Sequence, residues 1–138
     1  MKKIATVILI LCVIGVVSFN MIKNVFLKES IYIKANTPVE LVNFKTKDSH
    51  TVNNENLSLI NNFGKKLDVE YKYIYESPAL LIVITNGNSE KIVYSIFADG
   101  YIYKGDFTEA FYDRMNGKKS KIIRMNYRLG QLLYGIGQ

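Results

Sequence analysis

The amino-acid sequence predicts an α+β protein: an N-terminal transmembrane helix, then a small domain with an antiparallel β-meander sheet packed by two or three short helices. Three observations carry this. An uncharged apolar run from Ile4 to Ile22 follows Lys2 and Lys3. The middle of the chain holds a series of alternating or continuously apolar stretches divided by turn residues. Segments of near-helical spacing with capping residues lie before and after that block, and helices segregated from a run of strands argue α+β rather than α/β.

The N-terminal element comes first. The nineteen residues from Ile4 to Ile22 carry no charge, and at about 1.5 Å each they reach roughly 28 Å, close to a bilayer core. In lipid only a helix satisfies all of its own backbone groups. Lys2 and Lys3 favour a cytoplasmic N-terminus, which puts the remainder outside. Two fates stay open for this segment. It is either a retained anchor or a signal cleaved near Ser18, where Val16 and Ser18 stand at the −3 and −1 positions. Phe19, Met21 and Ile22 continue the apolar character past that point and favour the anchor. Cys12, the only cysteine, lies inside the run behind Leu11, where a lipidated cysteine needs a small residue. The exported part then has no disulfide, and about 110 residues bury a sufficient core without one. Residues 1–28 are read as anchor or signal with a short linker over 23–28 and on to 30. Residues 29–138 are read as one extracytoplasmic α+β domain.

Within that domain, residues 31–35 (IYIKA) read as a strand, broken by Thr37-Pro38, and 39–46 (VELVNFKT) as a second, followed by a turn at 47–50. Asn53 or Asn54 caps a helix in which Leu57, Ile60, Phe63 and Leu67 recur at near-helical spacing. Gly64, Lys65 and Lys66 suit its C-terminus. In 68–76, Val69, Tyr71, Tyr73 and Tyr75 alternate with Glu70, Lys72, Ile74 and Glu76, the period of a half-buried strand. Ser77-Pro78 turns the chain into 79–85 (ALLIVIT), continuously apolar and read as a central strand covered on both faces. Residues 86–89 (NGNS) and Asp99-Gly100 are hairpin turns by their chemistry. They join strands at 90–98 and 101–105, completing a four-stranded meander from 68 to 105. Asp106 or Thr108 caps a helix with Phe107, Ala110, Phe111 and Met115 on one side, ended by Gly117. The stretch from Ser120 admits two readings. As a strand, Ile123, Met125 and Tyr127 oppose Arg124, Asn126 and Arg128. As a helix capped by Ser120, Ile122, Met125, Leu129, Leu132, Leu133 and Ile136 fall on one arc. The helical reading covers more residues, with Gly130 against it at about 1 kcal/mol.

The net charge of +6 is unevenly spread. Residues 1–28 hold four lysines and no acid, residues 29–113 hold eight lysines against twelve acids, and residues 114–138 hold six cations and no acid. Export makes nucleic acid a poor partner for the basic end. Its candidate patch is Lys118, Lys119, Lys121, Arg124 and Arg128, which suits an anionic lipid surface, a wall polymer or an acidic protein partner. The second candidate is the aromatic row Tyr71, Tyr73 and Tyr75, with Tyr94, Tyr101 and Tyr103 in neighbouring strands, because tyrosine faces stack flat ligands. Tyrosine also has high β-propensity and pairs across strands, which gives the row an ordinary structural use.

Catalytic chemistry finds little footing. His50, the only histidine, stands in a polar turn, and a zinc site needs three or four ligands. No G-x-S-x-G or H-E-x-x-H occurs. Glu70 and Glu76, six residues apart on one strand, would be separated by about 20 Å. No catalytic residue, metal or cofactor is expected. The expected function is that of a small envelope protein of non-enzymatic binding type, held in the membrane by its N-terminal helix or secreted after cleavage. Its partner is a protein or an anionic surface, or, as an alternative, a ligand held by the tyrosine-bearing sheet. In layout the chain is similar to small, single-anchored envelope proteins of low-GC Gram-positive bacteria, a likeness of organisation that implies no activity.

Overall fold

The computed structural model describes the backbone of residues 1–137 and the side chains of residues 1–21 and 27–137. The elements in chain order are α1 (Lys2–Phe26), β1 (Lys28–Glu29), β2 (Val39–Asn43), β3 (Ser49–Thr51), α2 (Asn54–Phe63), β4 (Leu67–Lys72), β5 (Leu80–Thr85), β6 (Lys91–Phe97), β7 (Tyr101–Lys104), α3 (Phe107–Met115), β8 (Ser120–Arg124) and α4 (Tyr127–Ile136). The architecture is α+β: a long apolar helix, an eight-stranded antiparallel sheet and three further helices.

α1 runs through the first half of the segment 23–30 read as a linker, and Leu27 alone separates it from β1. The side chains of Ile22, Lys23, Val25 and Phe26, which entered the reading of the apolar run and its flank, lie outside the described residues. Over Lys2–Met21 the mean hydropathy is 2.6 and none of the window is buried in the protein. The helix is long and apolar enough to cross a membrane, as a signal sequence also is.

The sheet order is β1-β4-β8-β7-β6-β5-β2-β3. The meander is therefore real but displaced by one strand: it runs β5 to β8, not β4 to β7. β4 pairs with β8, in the register Val69↔Ile123 and Tyr71↔Lys121, rather than with β5. Alternation specifies a strand but not its neighbour, and the true neighbour lay in the ambiguous stretch from Ser120. There each reading is corrected to part of its span: the strand stops before Met125, and Ile122 and Met125 do not belong to the helix. Ser120–Arg124 is a strand, and Asn126, not Ser120, caps the helix that follows by accepting from the Leu129 amide at 2.8 Å.

The sheet separates two apolar layers. On one face Leu41, Ile82, Ile96, Ile102 and Ile123 pack with Leu57 and Ile60 of α2 and Leu129 and Leu133 of α4. On the other, Phe97, Tyr101, Tyr103 and Ile122 pack with Ile74, Ala110 and Phe107 beneath α3. β7 and its neighbours are buried on both sides: Ile102, Ile96 and Ile123 face one layer, and Tyr101, Tyr103, Phe97 and Ile122 the other. The expectation that residues 79–85 are covered on both faces is corrected. Leu80, Ile82 and Ile84 are buried while Leu81, Val83 and Thr85 stay partly exposed. α3 reaches only part of the second face, and its own Phe111 and Met115 are exposed. Gly100, at φ 88° in the β6–β7 turn, takes a backbone conformation that side-chain-bearing residues avoid.

Three local readings are also corrected. Leu67 belongs to β4, since α2 ends at Phe63 with Gly64 as its C-cap. The turn after β2 lies at 44–46, and His50 belongs to edge strand β3, opposite Leu41. Residues 31–35 form no strand, although Ile31 and Ile33 are buried in alternation as a strand would bury them. The backbone of Ile33 is satisfied by a helix side chain instead. Asn61 accepts from the Ile33 amide at 2.7 Å and donates to the Ile33 carbonyl at 2.7 Å. Asn61→Ala strands both groups in a part-buried site, so it is expected to cost about 2–3 kcal/mol in urea unfolding. A loss below about 0.5 kcal/mol would mean that water replaces the amide without penalty.

Candidate functional site: a tyrosine groove beside a divided basic cluster

β4 ends at Lys72, and the chain then leaves the sheet. Ile74 turns inward to 3% exposure, while Tyr75 stands out at 75% and Tyr71 at 58%. This departure, together with the strand start at Tyr101 and the loop before β8, leaves an open groove of about 440 Å³ lined by Tyr71, Lys72, Tyr73, Tyr75, Glu76, Tyr101 and Lys119. The aromatic row is thus gathered at one place, although only Tyr71 of the three is in a strand. Tyr94 and Tyr103 do not join it, because both are buried in the core layers.

The groove floor is rigid. Tyr101 is fully buried, stacks on Phe97 with ring centroids 4.5 Å apart, and donates its hydroxyl to Glu76. Burial, and then the neighbouring Glu76 carboxylate, push the Tyr101 hydroxyl well above the usual tyrosine pKa, so it stays protonated and keeps donating. The walls are fixed by contacts from the last turn of α3 and the loop after it. The Tyr73 hydroxyl donates to the Gly117 carbonyl at 3.2 Å. Arg114 donates to the Ile74 carbonyl at 3.1 Å, and its guanidinium lies 4.9 Å from the Tyr75 ring and 4.5 Å from Phe111.

Two cations enter the groove without a carboxylate partner. The Lys72 ammonium sits 4.1 Å above the Tyr101 ring, and that of Lys119 lies 5.7 Å from Tyr73. Neither forms an ion pair among the described residues. A ring face contributes about 0.5–1 kcal/mol to holding an exposed cation, and it leaves the positive charge available to an anion.

The basic candidates are not brought onto one face. Lys118 is exposed in the loop before β8. Lys119 belongs to the groove. Lys121 is paired with Glu29 of β1, a hydrogen bond that raises its pKa. Arg124 bonds Glu70 at 3.1 Å. Lys121 and Arg124 are an odd number of residues apart on one strand, so they project from opposite sides of the sheet. Arg128 is on α4, 6.0 Å from the Phe63 ring. Sequence reasoning did not assign Lys72 to the groove, and weighed Glu76 only as one of a distant carboxylate pair. Lys72 lay on the face opposite the tyrosines by alternation, and joins them only because the strand stops there.

Among the described residues no three His, Cys, Asp or Glu lie together as a metal cluster would need. Set against protein-family models, curated proteins and solved structures, the chain matches none. The arrangement can hold a ligand that carries a flat ring for the tyrosines and an acidic group for the two ammonium ions.

Proposed function

We propose that this chain is a membrane-tethered, non-enzymatic binding module of the cell envelope. In this reading α1 crosses the membrane with its N-terminus in the cytoplasm, and residues 29–138 form an extracytoplasmic domain. The tyrosine groove takes hold of an anionic, saccharide-bearing polymer at the envelope surface. The observation that carries the reading is the pair of ammonium groups, Lys72 and Lys119, resting on tyrosine rings in an open groove and unpaired with any carboxylate among the described residues. Exposed Tyr71 and Tyr75 supply faces on which sugar rings stack.

The chain has no tryptophan, so its intrinsic emission is tyrosine emission. Titrating the full-length protein in nanodiscs with a soluble phosphate-bearing glycan is expected to change that emission in a saturable way. Replacing both lysines, K72A with K119A, is expected to weaken binding by about thirtyfold, from roughly 1 kcal/mol per lost charge contact. Tyr75→Ala should weaken it separately. Equal binding of poly-glutamate, with no effect of Tyr75→Ala, would reduce the site to bare charge attraction and end the saccharide reading.

A further inference from the structure

A second surface lies where the tether enters the domain. A one-residue link spans at most about 7 Å between Phe26 and Lys28, and Leu27 is that link. Beyond the apolar run only residues 23–26 of α1 remain, about 6 Å of helix, which is the thickness of one headgroup layer. Chain length alone thus holds β1 within a Debye length of a bilayer surface, about 8–10 Å at ordinary ionic strength.

The residues stitched to that entry point are basic. The Val69 amide donates to the Leu27 carbonyl at 2.9 Å, and the Ile31 amide to the Gly64 carbonyl at 2.8 Å. The Lys66 amide donates to Ser30 Oγ at 3.0 Å. The end of α2 therefore lies against the first residues after the tether. The start of α4 is tied to the same place, since Asn126 Nδ2 donates to the Phe63 carbonyl at 2.6 Å. Lys28 and Lys121 at this edge are neutralised by Asp68 and Glu29. Lys65, Lys66 and Arg128 are exposed and form no ion pair among the described residues. Lys65 and Lys66 border a hollow of about 680 Å³ that also includes Ser30 and Tyr32. Tyr32 is 74% exposed, and Tyr127, beside Arg128, is 78% exposed. Unpaired cations beside exposed tyrosines are the side chains that settle at headgroup level.

We propose that Lys65, Lys66 and Arg128 seat the domain on anionic phospholipid headgroups of the membrane that holds α1, fixing its tilt so that the tyrosine groove is presented away from free rotation on the tether. This rests on the anchor reading, and the experiment separates the two. The full-length protein is reconstituted in nanodiscs of phosphatidylcholine alone or mixed with phosphatidylglycerol. Lysine acylation is then followed residue by residue by mass spectrometry. Lys65 and Lys66 are expected to react about fivefold more slowly in the anionic discs, high salt should remove the difference, and Lys91 should react equally in both. Inorganic phosphate added to neutral discs should leave the rates unchanged. Protection by inorganic phosphate alone would replace the lipid surface by a free-anion site. Equal rates in both discs, with the protein fully incorporated, would overturn the seating. Failure to incorporate into either disc would overturn the tether reading beneath it.

Discussion

Leu133→Ala is expected to lower the unfolding free energy of the domain by about 3–5 kcal/mol, the upper part of the range for a leucine truncated in a core. Leu133 is fully buried, in the layer formed by α2, α4 and the sheet. The surroundings have little room to close over a cavity. A Cβ added at nearby Gly137 would come within 2.9 Å of Leu80 Cδ2 and 3.1 Å of Leu41 Cδ2. A domain of this size has about 5–15 kcal/mol of stability in total, so this one change removes a large share of it. Arg128→Ala, on the exposed side of the same helix, should cost less than about 1 kcal/mol. Urea unfolding of both variants, followed by circular dichroism, makes the comparison. Equal and small effects would mean that α4 is a peripheral tail rather than a structural part of the core.

Val13→Lys is expected to release the protein from the membrane while leaving the domain folded. Val13 stands at the centre of the uncharged run from Ile4 to Ile22. A lysine at the middle of a membrane helix costs about 2.5–3.5 kcal/mol of insertion free energy, roughly a hundredfold in the partition ratio. The domain should not notice, because none of the apolar window of α1 is buried against it. Fractionation with a circular-dichroism check on the soluble fraction reads both parts. A V13K variant that stays with membranes as the parent does would break the link between the apolar length of α1 and its anchoring. One that is released but unfolded would show that α1 supports the domain.

The elements that were legible in the sequence are those whose own residues determine them. α2 and α3 announce themselves through their capping residues, Asn53 being the cap of the pair Asn53 and Asn54, and Asp106 of the pair Asp106 and Thr108. β5, β6 and β7 announce themselves through apolar runs bounded by turn chemistry. Partners were less legible, because alternation in 68–72 says which side chains share a face and not which strand lies alongside. Residues 31–35 bury their isoleucines with strand period yet take hydrogen bonds from Asn61, which lies 28 residues on from Ile33. Nothing in a polar helix residue marks it as a substitute for a strand. The stretch from Ser120 misled by holding two elements: Ile122 and Ile123 serve opposite sheet faces, while Leu129 and Leu133 serve a helix. The tyrosine row was visible as a pattern. Its junction with Lys72 and Lys119 depends on where β4 stops and on a loop some 45 residues later in the chain, which no local pattern encodes.

The seam between β4 and β8 has a consequence for the order in which this protein is assembled. β8 is flanked by β7 and β4, so the β1–β4 ribbon has no attachment to the rest of the sheet except through it. While the chain is being delivered N-terminus first, β1 and β4 emerge early and wait as a narrow ribbon with an open edge, a form prone to wrong pairing. The meander can gather itself locally as each hairpin appears. The two parts become one sheet only when residues 120–124 arrive, a long-range closure of the kind that slows folding. Completion of the domain is therefore gated by the delivery of its last strand, and a chain stalled before Ser120 presents the cell with two unjoined halves.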